Sequence, residues 1–448
     1  MKLQKFKGKN NKKKIIIMVI FLSVLLLSGI YLYSSFAVFS EEKNFNVING
    51  TVSDPGDIYF AYYVDGAITR SMPKQNTGYT LNAEKSNCTN GVIPDWDNAG
   101  WKFIGDYSGY NATDYTRTRC DLYFEKTSKV VSTAIGNIEV NTYTPDFSKS
   151  ACDDTACESH EKGIYETQDD DRTSYYYRGS VENNYVKFAG YYWRIIRING
   201  NGSIRIIYDG TSAHDNGEVN NDRRYGASVF SPSANDNMYV GYMYTSGNAH
   251  GLSTSSTIKT ANDNFYTTKL ASYVNYLDYN AGFCGDRTTY NVQDNVATGA
   301  SITYYVGNTR FQRGMPSLKC PDNSDYYTTS SASSGNKALT YPIALITLDE
   351  IVLAGNASTY YDRSYSAPCN QNNYLMIGKD FWTITPSGFF YLFNFKYANA
   401  LIYNISMEGC VGETYPPVQE GLRPVINLKS TLKFTGDGTK NNPYVPSL

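Results

Sequence analysis

The segment from Trp193 to Gly210 constrains the fold more than any other part of this 448-residue chain. Apolar residues alternate there with Arg197 and Arg205 on either side of the turn sequence Asn-Gly-Asn-Gly. Alternation with a period of two is typical of strands, and Asn-Gly favours the positive backbone angles of a tight turn. The segment therefore predicts a β-hairpin with one buried face, and Trp193 is expected to anchor that core.

Two other segments predict helices. Within residues 257–281, apolar residues recur three to five positions apart and mark one helical face, namely Phe265, Leu270, Val274 and Leu277. Farther on, Thr347 and Glu350 have the spacing of a capping box, and Gly355 suits the helix end. Asp349 and Glu350 are therefore interpreted as helix-starting residues rather than as catalytic acids.

The aromatic stretch of residues 381–404 predicts a second hairpin. Its alternating residues divide between two faces of an extended chain, and the face that holds Phe389 and Tyr391 is expected to be mostly core. Residues 397–400 are expected to form the hairpin tip. Five side chains of this stretch are candidates for ligand binding, namely Tyr397, Asn399, Asn394, Asn404 and Trp382.

The N-terminus predicts export. Lysine-rich residues 1–14 are followed by an apolar run over residues 15–39. About 20 apolar residues span a bilayer, and a positively charged flank stays in the cytoplasm. The pattern predicts a transmembrane signal-anchor in the cell membrane, with the C-terminal region outside. The sequence Ser35-Phe36-Ala37 leaves cleavage after Ala37 open, which would release a secreted protein.

Eight cysteines in an exported chain favour disulfide bonds. A zinc site is not expected, because the sequence has no Cys-x-x-Cys pair and because His160, His214 and His250 are scattered. Other connectivities stay open, but the spacing suggests local pairs, namely Cys88 with Cys120, Cys152 with Cys157, Cys284 with Cys320, and Cys369 with Cys410.

The charge and the composition of the chain indicate which classes of partner it could bind. The formal net charge is −2, and the chain beyond its basic N-terminus is mildly acidic, which argues against nucleic acid. The 42 tyrosines, together with abundant Asn, Ser and Gly, are typical of binding surfaces such as antibody loops. An AT-rich genome would give the same composition through its codons, so both interpretations stay open.

Several acidic residues are candidates for a catalytic or metal-binding role, and each of them also has a structural interpretation. The acidic patch of residues 150–172, which includes the run Asp169–Asp171, is interpreted as a solvated loop rather than as an acid–base pair. Asp286 and Arg287 suggest an ion pair beside Cys284. Calcium is kept as a candidate cofactor for the Asp/Asn-rich loops of residues 214–263, but the spacing of a calcium-binding loop is absent. No catalytic residue and no metal ligand are assigned.

Together these elements predict an α+β, β-rich fold. The expected parts are a basic cytoplasmic tail (1–14), the transmembrane helix (15–39), a small all-β module (41–127), a linker (128–150) and a large β-rich domain (151–448). The large domain is expected to have one main helix and long loops.

Several blocks, in the same order over residues 175–448, resemble an uncharacterised domain family of exported surface proteins of gut bacteria. They are YVKFAGYYWRIIRINGNGSIRIIYDG, FCGDR, GNKALTYPIALITLDEIVLAG, DFWTITPS and GLRPVINLKS. More distantly, the order of elements resembles C-type-lectin-like folds, including those of formylglycine-generating enzymes. The resemblance implies a C-type-lectin-like large domain and display at the cell surface. It carries over no functional residue, because the lectin calcium motifs and the enzyme's cysteine pair have no match here.

Three hypotheses of function follow. The first is a membrane-anchored surface protein that binds a glycan or a host or envelope protein. The second is a structural cell-envelope protein without a specific ligand. The third is an extracellular carbohydrate-active hydrolase that uses Asp222, Asp286 or another loop carboxylate, which would require two facing carboxyl groups. The membrane, through the N-terminal helix, is the expected partner in the first hypothesis, and the oligomeric state is not predicted.

Overall fold

The computed structural model describes residues 58–448, apart from short internal gaps. The gaps are residues 75–78, 98–99, 112–116, 127, 142–143, 152–160, 296–299, 359–368, 370–372 and 393–396. The predicted tail, the predicted transmembrane segment and the pair Cys152–Cys157 lie outside the described residues.

Residues 59–126 form a small β module. Its strands are β1 (Tyr59–Val64), β2 (Ala67–Thr69), β3 (Tyr79–Leu81), β4 (Asn87–Cys88), β5 (Trp96–Asp97), β6 (Lys102–Phe103) and β7 (Arg119–Lys126). Five of them form a sheet around β7, and β5 pairs with β6. Asp65 and Gly66 have φ angles of 48° and 82° between β1 and β2, as a tight hairpin turn requires. A small all-β arrangement in this part of the chain agrees with the sequence.

Residues 128–448 form the larger region of the structure. Its first part supplies most of a nine-stranded sheet. Its strands are β8 (Ser128–Thr133), β9 (Gly136–Asn141), β10 (Gly163–Gln168), β11 (Thr173–Arg178), β12 (Tyr185–Phe188), β13 (Tyr191–Ile198) and β14 (Ile204–Gly210). The order across the sheet is β22-β27-β14-β13-β11-β10-β9-β8, with β12 also paired to β13. The predicted hairpin β13–β14 therefore lies near the middle of this sheet.

The second part forms a seven-stranded sheet, several short strand pairs and three α-helices. Its strands are β15 (Ala227–Val229), β16 (Met243–Tyr244), β17 (Thr254–Ser255), β18 (Phe283–Cys284), β19 (Thr289–Asn295), β20 (Ala300–Tyr305), β21 (Tyr326–Tyr327), β22 (Ile343–Ala344), β23 (Phe381–Leu392), β24 (Tyr397–Ile405), β25 (Val411–Thr414), β26 (Gln419–Gly421), β27 (Val425–Leu428), β28 (Lys433–Thr435) and β29 (Val445–Ser447). The helices are α1 (Thr257–Phe265), α2 (Val306–Arg313) and α3 (Leu348–Ala354). The seven-stranded sheet has the order β15-β26-β23-β20-β19, with β24 also paired to β23 and β25 paired to β24.

The hairpin β13–β14 is buried on both faces, not on one. Ile195 pairs with Ile206, and Trp193 is fully buried in the same core, as the sequence predicts. Arg197 and Arg205, however, are only 8% and 1% exposed. The expectation of one solvated face is wrong because Glu350 of helix α3 pairs with both arginines on that face.

The longest helical segment begins at α1 and changes its winding along its length. A π-helical turn follows at Tyr266–Leu270, and a 3-10 segment follows at Ala271–Tyr276. Leu270 and Leu277 are buried as predicted, whereas Val274 is 41% exposed. Because π and 3-10 turns advance by a different angle per residue, they move Val274 off the apolar face that regular α-helical spacing would give it.

The second predicted hairpin is present, but its tip is displaced. In the pairing of β23 with β24, Leu392 lies opposite Tyr397 and Phe389 lies opposite Ala400. Residues 397–400 are therefore strand, because their backbones pair with β23. The residues that join the two strands, 393–396, lie outside the described part.

The predicted linker, residues 128–150, differs in the structure. It contributes β8 and β9 at one edge of the nine-stranded sheet, where β9 runs parallel to β10. The Ser/Thr/Val pattern of this segment is compatible with a strand, but the pattern does not reveal that β10 is the partner of β9.

The predicted fold class is wrong as stated. It required a membrane-spanning helix before a C-type-lectin-like large domain, and no helix of the described residues is long and apolar enough to cross a membrane. The larger region is organised instead by the nine-stranded and seven-stranded sheets, whose pairings join distant segments that local patterns do not specify. The β-rich composition is confirmed, and the segment that begins at α1 agrees with one main helix.

Replacing Ile206 with Ala tests whether β14 lies at the centre of the core. Ile206 is fully buried and lies between Ile195 and Ile426 of the neighbouring strands. Because the cavity cannot collapse fully, we expect a loss of about 2–5 kcal/mol in the free energy of unfolding, measured with urea. Val130→Ala is the control, since Val130 is 71% exposed, and it should change this free energy by less than about 0.5 kcal/mol. Equal losses in both variants would contradict the placement of β14.

Candidate functional site

A polar cleft of the larger region encloses only about 30 Å³, and about 620 Å³ when the space open to solvent is counted. It lies where β13 and β14 meet α2, α3 and β23. Ten charged side chains line it, namely Asp169, Asp170, Asp171, Asp286, Asp349, Glu350, Arg197, Arg205, Arg310 and Lys319. With six acidic and four basic groups, it is called the acidic cleft below.

Glu350 fixes the floor of the acidic cleft. Arg197 Nε donates a hydrogen bond to Glu350 Oε1 over 3.0 Å, and Arg205 Nε lies 2.6 Å from the same oxygen. Burial by itself raises the pKa of Glu350, but the attraction of Arg205 and Arg197 outweighs it, and the pKa lies below the ordinary value. Burial lowers the pKa of Arg205 to about 10, so Arg205 stays charged at neutral pH.

The same carboxylate caps helix α3. Glu350 Oε2 accepts the backbone N–H of Thr347 over 3.0 Å, while Thr347 Oγ1 accepts the N–H of Glu350 over 3.1 Å. This capping box is the one that the sequence predicts. Glu350 therefore starts α3 and also binds two buried arginines, a second role that the local pattern does not reveal.

One wall of the acidic cleft is held by Arg310. Its Nε and Nη2 donate to the two carboxylate oxygens of Asp349 over 2.9 Å each, and its Nη1 donates to Asp286 Oδ2 over 2.8 Å. A bidentate arginine–carboxylate pair fixes both planes in one geometry. Asp349 and Asp286 are thus held in place by Arg310.

The mouth of the acidic cleft carries Asp170 and Asp171, which are exposed. Partial desolvation raises the pKa of both carboxyl groups, and the adjacent Asp169 carboxylate raises it further. Asp169 is buried and accepts Arg197 Nη1 over 3.1 Å and the Gly200 N–H over 2.7 Å. The run Asp169–Asp171 is therefore not a uniformly solvated loop, because its first residue turns inward to meet Arg197.

An open polar cleft of this kind offers carboxylate acceptors and a tyrosine ring to a ligand. Tyr326 lines it, and a Cβ atom added at Gly282 would lie 2.5 Å from that ring. The absence of a side chain at position 282 thus lets the ring approach the backbone closely. The arrangement suits hydrogen bonding to a polar ligand more than it suits proton transfer, since arginines hold the deep carboxylates.

Two of the five predicted ligand-binding residues, Trp382 and Asn404, are buried. Trp382 is fully buried and its Nε1 donates to the backbone oxygen of Ser228 over 2.8 Å. Asn404 is 8% exposed and its Nδ2 donates to Glu420. Neighbouring strands of the seven-stranded sheet cover both side chains, and their predicted role in ligand binding stays a prediction. Asn399 is half-buried in β24, Tyr397 begins β24, and Asn394 lies outside the described residues.

Three of the four predicted disulfides are present. They are Cys88–Cys120, Cys284–Cys320 and Cys369–Cys410. The spacing argument therefore holds wherever the structure describes both cysteines. Three disulfides indicate an oxidising environment, as outside the cytoplasm.

Asp286 and Arg287 do not pair with each other. Asp286 binds Arg310, whereas Arg287 Nε donates to Asp325 Oδ1 over 2.8 Å. Asp222, the other predicted acid, lies outside the lining of the acidic cleft and contacts His214, whose Nε2 is 2.8 Å from Asp222 Oδ1. The two acids suggested for a hydrolase are thus committed to different structural contacts.

A group that could hold a metal ion occurs elsewhere in the described residues. It consists of His250, Asp322 and Asp325, whose ligand atoms all lie within 4.8 Å of one another. The scattered histidines of the sequence gave no sign of it, because His250 and Asp325 are 75 residues apart.

No family model matches the chain, and no curated protein or solved structure matches it either. The resemblance of residues 175–448 to exported surface proteins stays a prediction. The function below is therefore argued from the geometry of the acidic cleft.

The Glu350→Gln variant tests the floor of the acidic cleft. It removes the charge that Arg197 and Arg205 share, and breaking such a buried pair costs about 3–5 kcal/mol in the free energy of unfolding. The control is Glu166→Gln, because Glu166 pairs with Lys129 on the surface and such pairs contribute about 0–1 kcal/mol. Urea unfolding at neutral pH measures both, and a loss in Glu350→Gln no larger than the control's would contradict a structural role.

The contact between Glu218 and His214 is expected to contribute to the stability of the folded protein in a way that is lost in acid. A hydrogen bond with His214 Nδ1, 2.8 Å long, is the main cause that lowers the pKa of Glu218 from 4.5 to about 2. Because the folded pKa is depressed, the ionised group stabilises the folded protein above about pH 4.5, and this contribution is lost as the pH falls towards about 2.

We expect Glu218→Gln to lower the thermal midpoint near neutral pH, with the gap to wild type closing as the pH falls from about 5 to about 2. Glu182→Gln, at an exposed position, is the control and should show no such closing gap. A gap for Glu218→Gln that is constant over this pH range would refute the linkage.

Proposed function

We propose that the protein is an extracytoplasmic binding protein whose acidic cleft takes a glycan that carries no acidic groups. The single observation that carries the proposal is the cleft itself, an open polar site whose floor and wall are fixed by arginine–carboxylate pairs. The disulfides support a location outside the cytoplasm.

Fixed polar groups favour a ligand rich in hydroxyl groups. A site whose side chains are already held in place loses little conformational entropy on binding. Asp170 and Asp171 present acceptor oxygens at the mouth, and Tyr326 presents part of an aromatic ring beside them. Hydroxyl donors and the apolar face of a sugar ring match this combination.

The charge of the acidic cleft favours neutral or amino sugars over acidic ones. Six carboxyl side chains face four basic ones in its lining, and Asp170 and Asp171 are the exposed acids at its mouth. A sialic acid or a sulfate would bring a like charge to this mouth, which costs binding energy. Neutral glycans should therefore bind more tightly than their sulfated or sialylated forms.

Hydrolysis is less well supported than binding. A glycosidase needs two carboxyl groups that flank the scissile bond from either side. Arg310 holds Asp286 and Asp349 in charge-paired geometry, while Asp170 and Asp171 are consecutive residues of one turn. The described lining of the acidic cleft thus lacks a facing pair of uncommitted acids.

A glycan array probed with the full oxidised chain tests the proposal. Wild type should bind a neutral or amino glycan, and the double variant Asp170→Asn, Asp171→Asn should bind it about tenfold more weakly because it loses two charged acceptors. Asn can still accept the Cys320 N–H that Asp170 accepts, so the fold should persist.

Asp437→Asn serves as the matched control, since Asp437 is an exposed carboxylate far along the chain in another turn. Equal binding by the double variant would place the ligand elsewhere. The absence of any bound glycan would favour a structural envelope protein, and cleavage of the glycan would favour the hydrolase.

A further inference from the structure

Two loops that are distant in sequence meet at His250, Asp322 and Asp325. His250 lies between β16 and β17, whereas Asp322 caps the 3-10 helix Asn323–Asp325 just after the disulfide Cys284–Cys320. His250 Nδ1 is 2.9 Å from Asp325 Oδ2 and 3.7 Å from Asp322 Oδ2. These three residues are called the histidine–aspartate cluster.

The spacing of the ligand atoms is close to the spacing that a small tetrahedral ion requires. Zinc bonds of about 2.0–2.2 Å to nitrogen and oxygen place neighbouring ligand atoms of a tetrahedron roughly 3.3–3.6 Å apart. The two measured distances, 2.9 Å and 3.7 Å, lie on either side of this range. Small side-chain rotations would therefore suffice to seat an ion between the three atoms.

The carboxylates of the cluster are already held by neighbouring groups. Arg287 donates from its Nε to Asp325 Oδ1 over 2.8 Å and from its backbone N–H to Asp325 Oδ2 over 2.6 Å. Asp322 Oδ1 accepts the backbone N–H of Ser324 over 2.7 Å, which leaves Oδ2 on the side of His250. Hydrogen bonds of this kind orient metal ligands in proteins.

We propose that the histidine–aspartate cluster binds one divalent transition-metal ion, with Zn²⁺ as the representative, through His250 Nδ1 and one oxygen each of Asp322 and Asp325. His250 and Asp322 have side chains that are 32% and 34% exposed, so the fourth position faces solvent. The site would join the loop between β16 and β17 to the disulfide-bound segment and leave one position for water or a ligand atom.

The nitrogen ligand selects against calcium. Calcium takes six to eight oxygen ligands at longer distances, and this cluster offers one nitrogen and two carboxylates. Imidazole together with carboxylate suits zinc and its first-row neighbours. Arg287 offsets part of the negative charge, so the affinity should be lower than that of a cysteine-rich zinc site.

Without a metal, the same geometry is a hydrogen-bonded cluster in which His250 donates its Nδ1 proton to Asp325. A metal at Nδ1 takes the place of that proton, which can move to Nε2. The heat of zinc titration therefore reports binding, and no proton need be released to the buffer.

The test is isothermal titration of the full oxidised chain with Zn²⁺ alone and with Ca²⁺ alone. Wild type should bind one zinc ion per chain and should bind calcium more weakly. His250→Gln and Asp322→Asn should each weaken zinc binding at least about tenfold, since each loses one ligand. Circular dichroism confirms that the variants fold, and Asp325 is left unchanged because Arg287 depends on it.

Asp437→Asn is the matched control, because Asp437 accepts a backbone N–H two residues ahead just as Asp322 does, but belongs to no histidine-containing cluster of the described residues. It should bind zinc like wild type. The proposal is overturned by the absence of stoichiometric zinc binding, by zinc binding that His250→Gln and Asp322→Asn leave unchanged, or by a preference for calcium.

Discussion

The contact on which the larger region most depends is the carboxylate of Glu350 between Arg197 and Arg205. Removing such charges from water costs several kcal/mol per ion, so the cost is offset only when each charge has a partner in good geometry. Here one carboxylate serves two arginines and also starts helix α3. The helix, the central hairpin and the floor of the acidic cleft are thereby fixed together.

Buried arginines recur throughout the described part of this region. Asp209 Oδ1 accepts hydrogen bonds from Arg223 and Arg423, and Asp325 accepts them from Arg287. Such pairs have narrow geometric requirements, which gives a core that tolerates little rearrangement. Rigidity of this kind suits a preformed binding site, where little entropy is lost when the ligand arrives.

The acidic cleft and the histidine–aspartate cluster both lie near the disulfide Cys284–Cys320. Cys284 lines the cleft, and Asp170 at the mouth accepts the backbone N–H of Cys320. Cys320 in turn lies two residues before Asp322 of the cluster. Reducing this disulfide would therefore disturb the mouth of the acidic cleft and the proposed metal site together.

The sequence by itself determined the elements whose cause is local. The hairpin β13–β14 and the capping box of Thr347 and Glu350 follow from residues that are near one another along the chain. The three described disulfides join cysteines 32, 36 and 41 residues apart, and each pair is consecutive in the order of cysteines along the sequence. Only the tertiary structure decided that Arg197 and Arg205 are buried, because their partner Glu350 is 153 and 145 residues away. It likewise buried Trp382 and brought His250 to Asp325. A local sequence pattern depends on residues a few positions apart. The burial of a side chain and the composition of a binding site depend on which distant segments pack together.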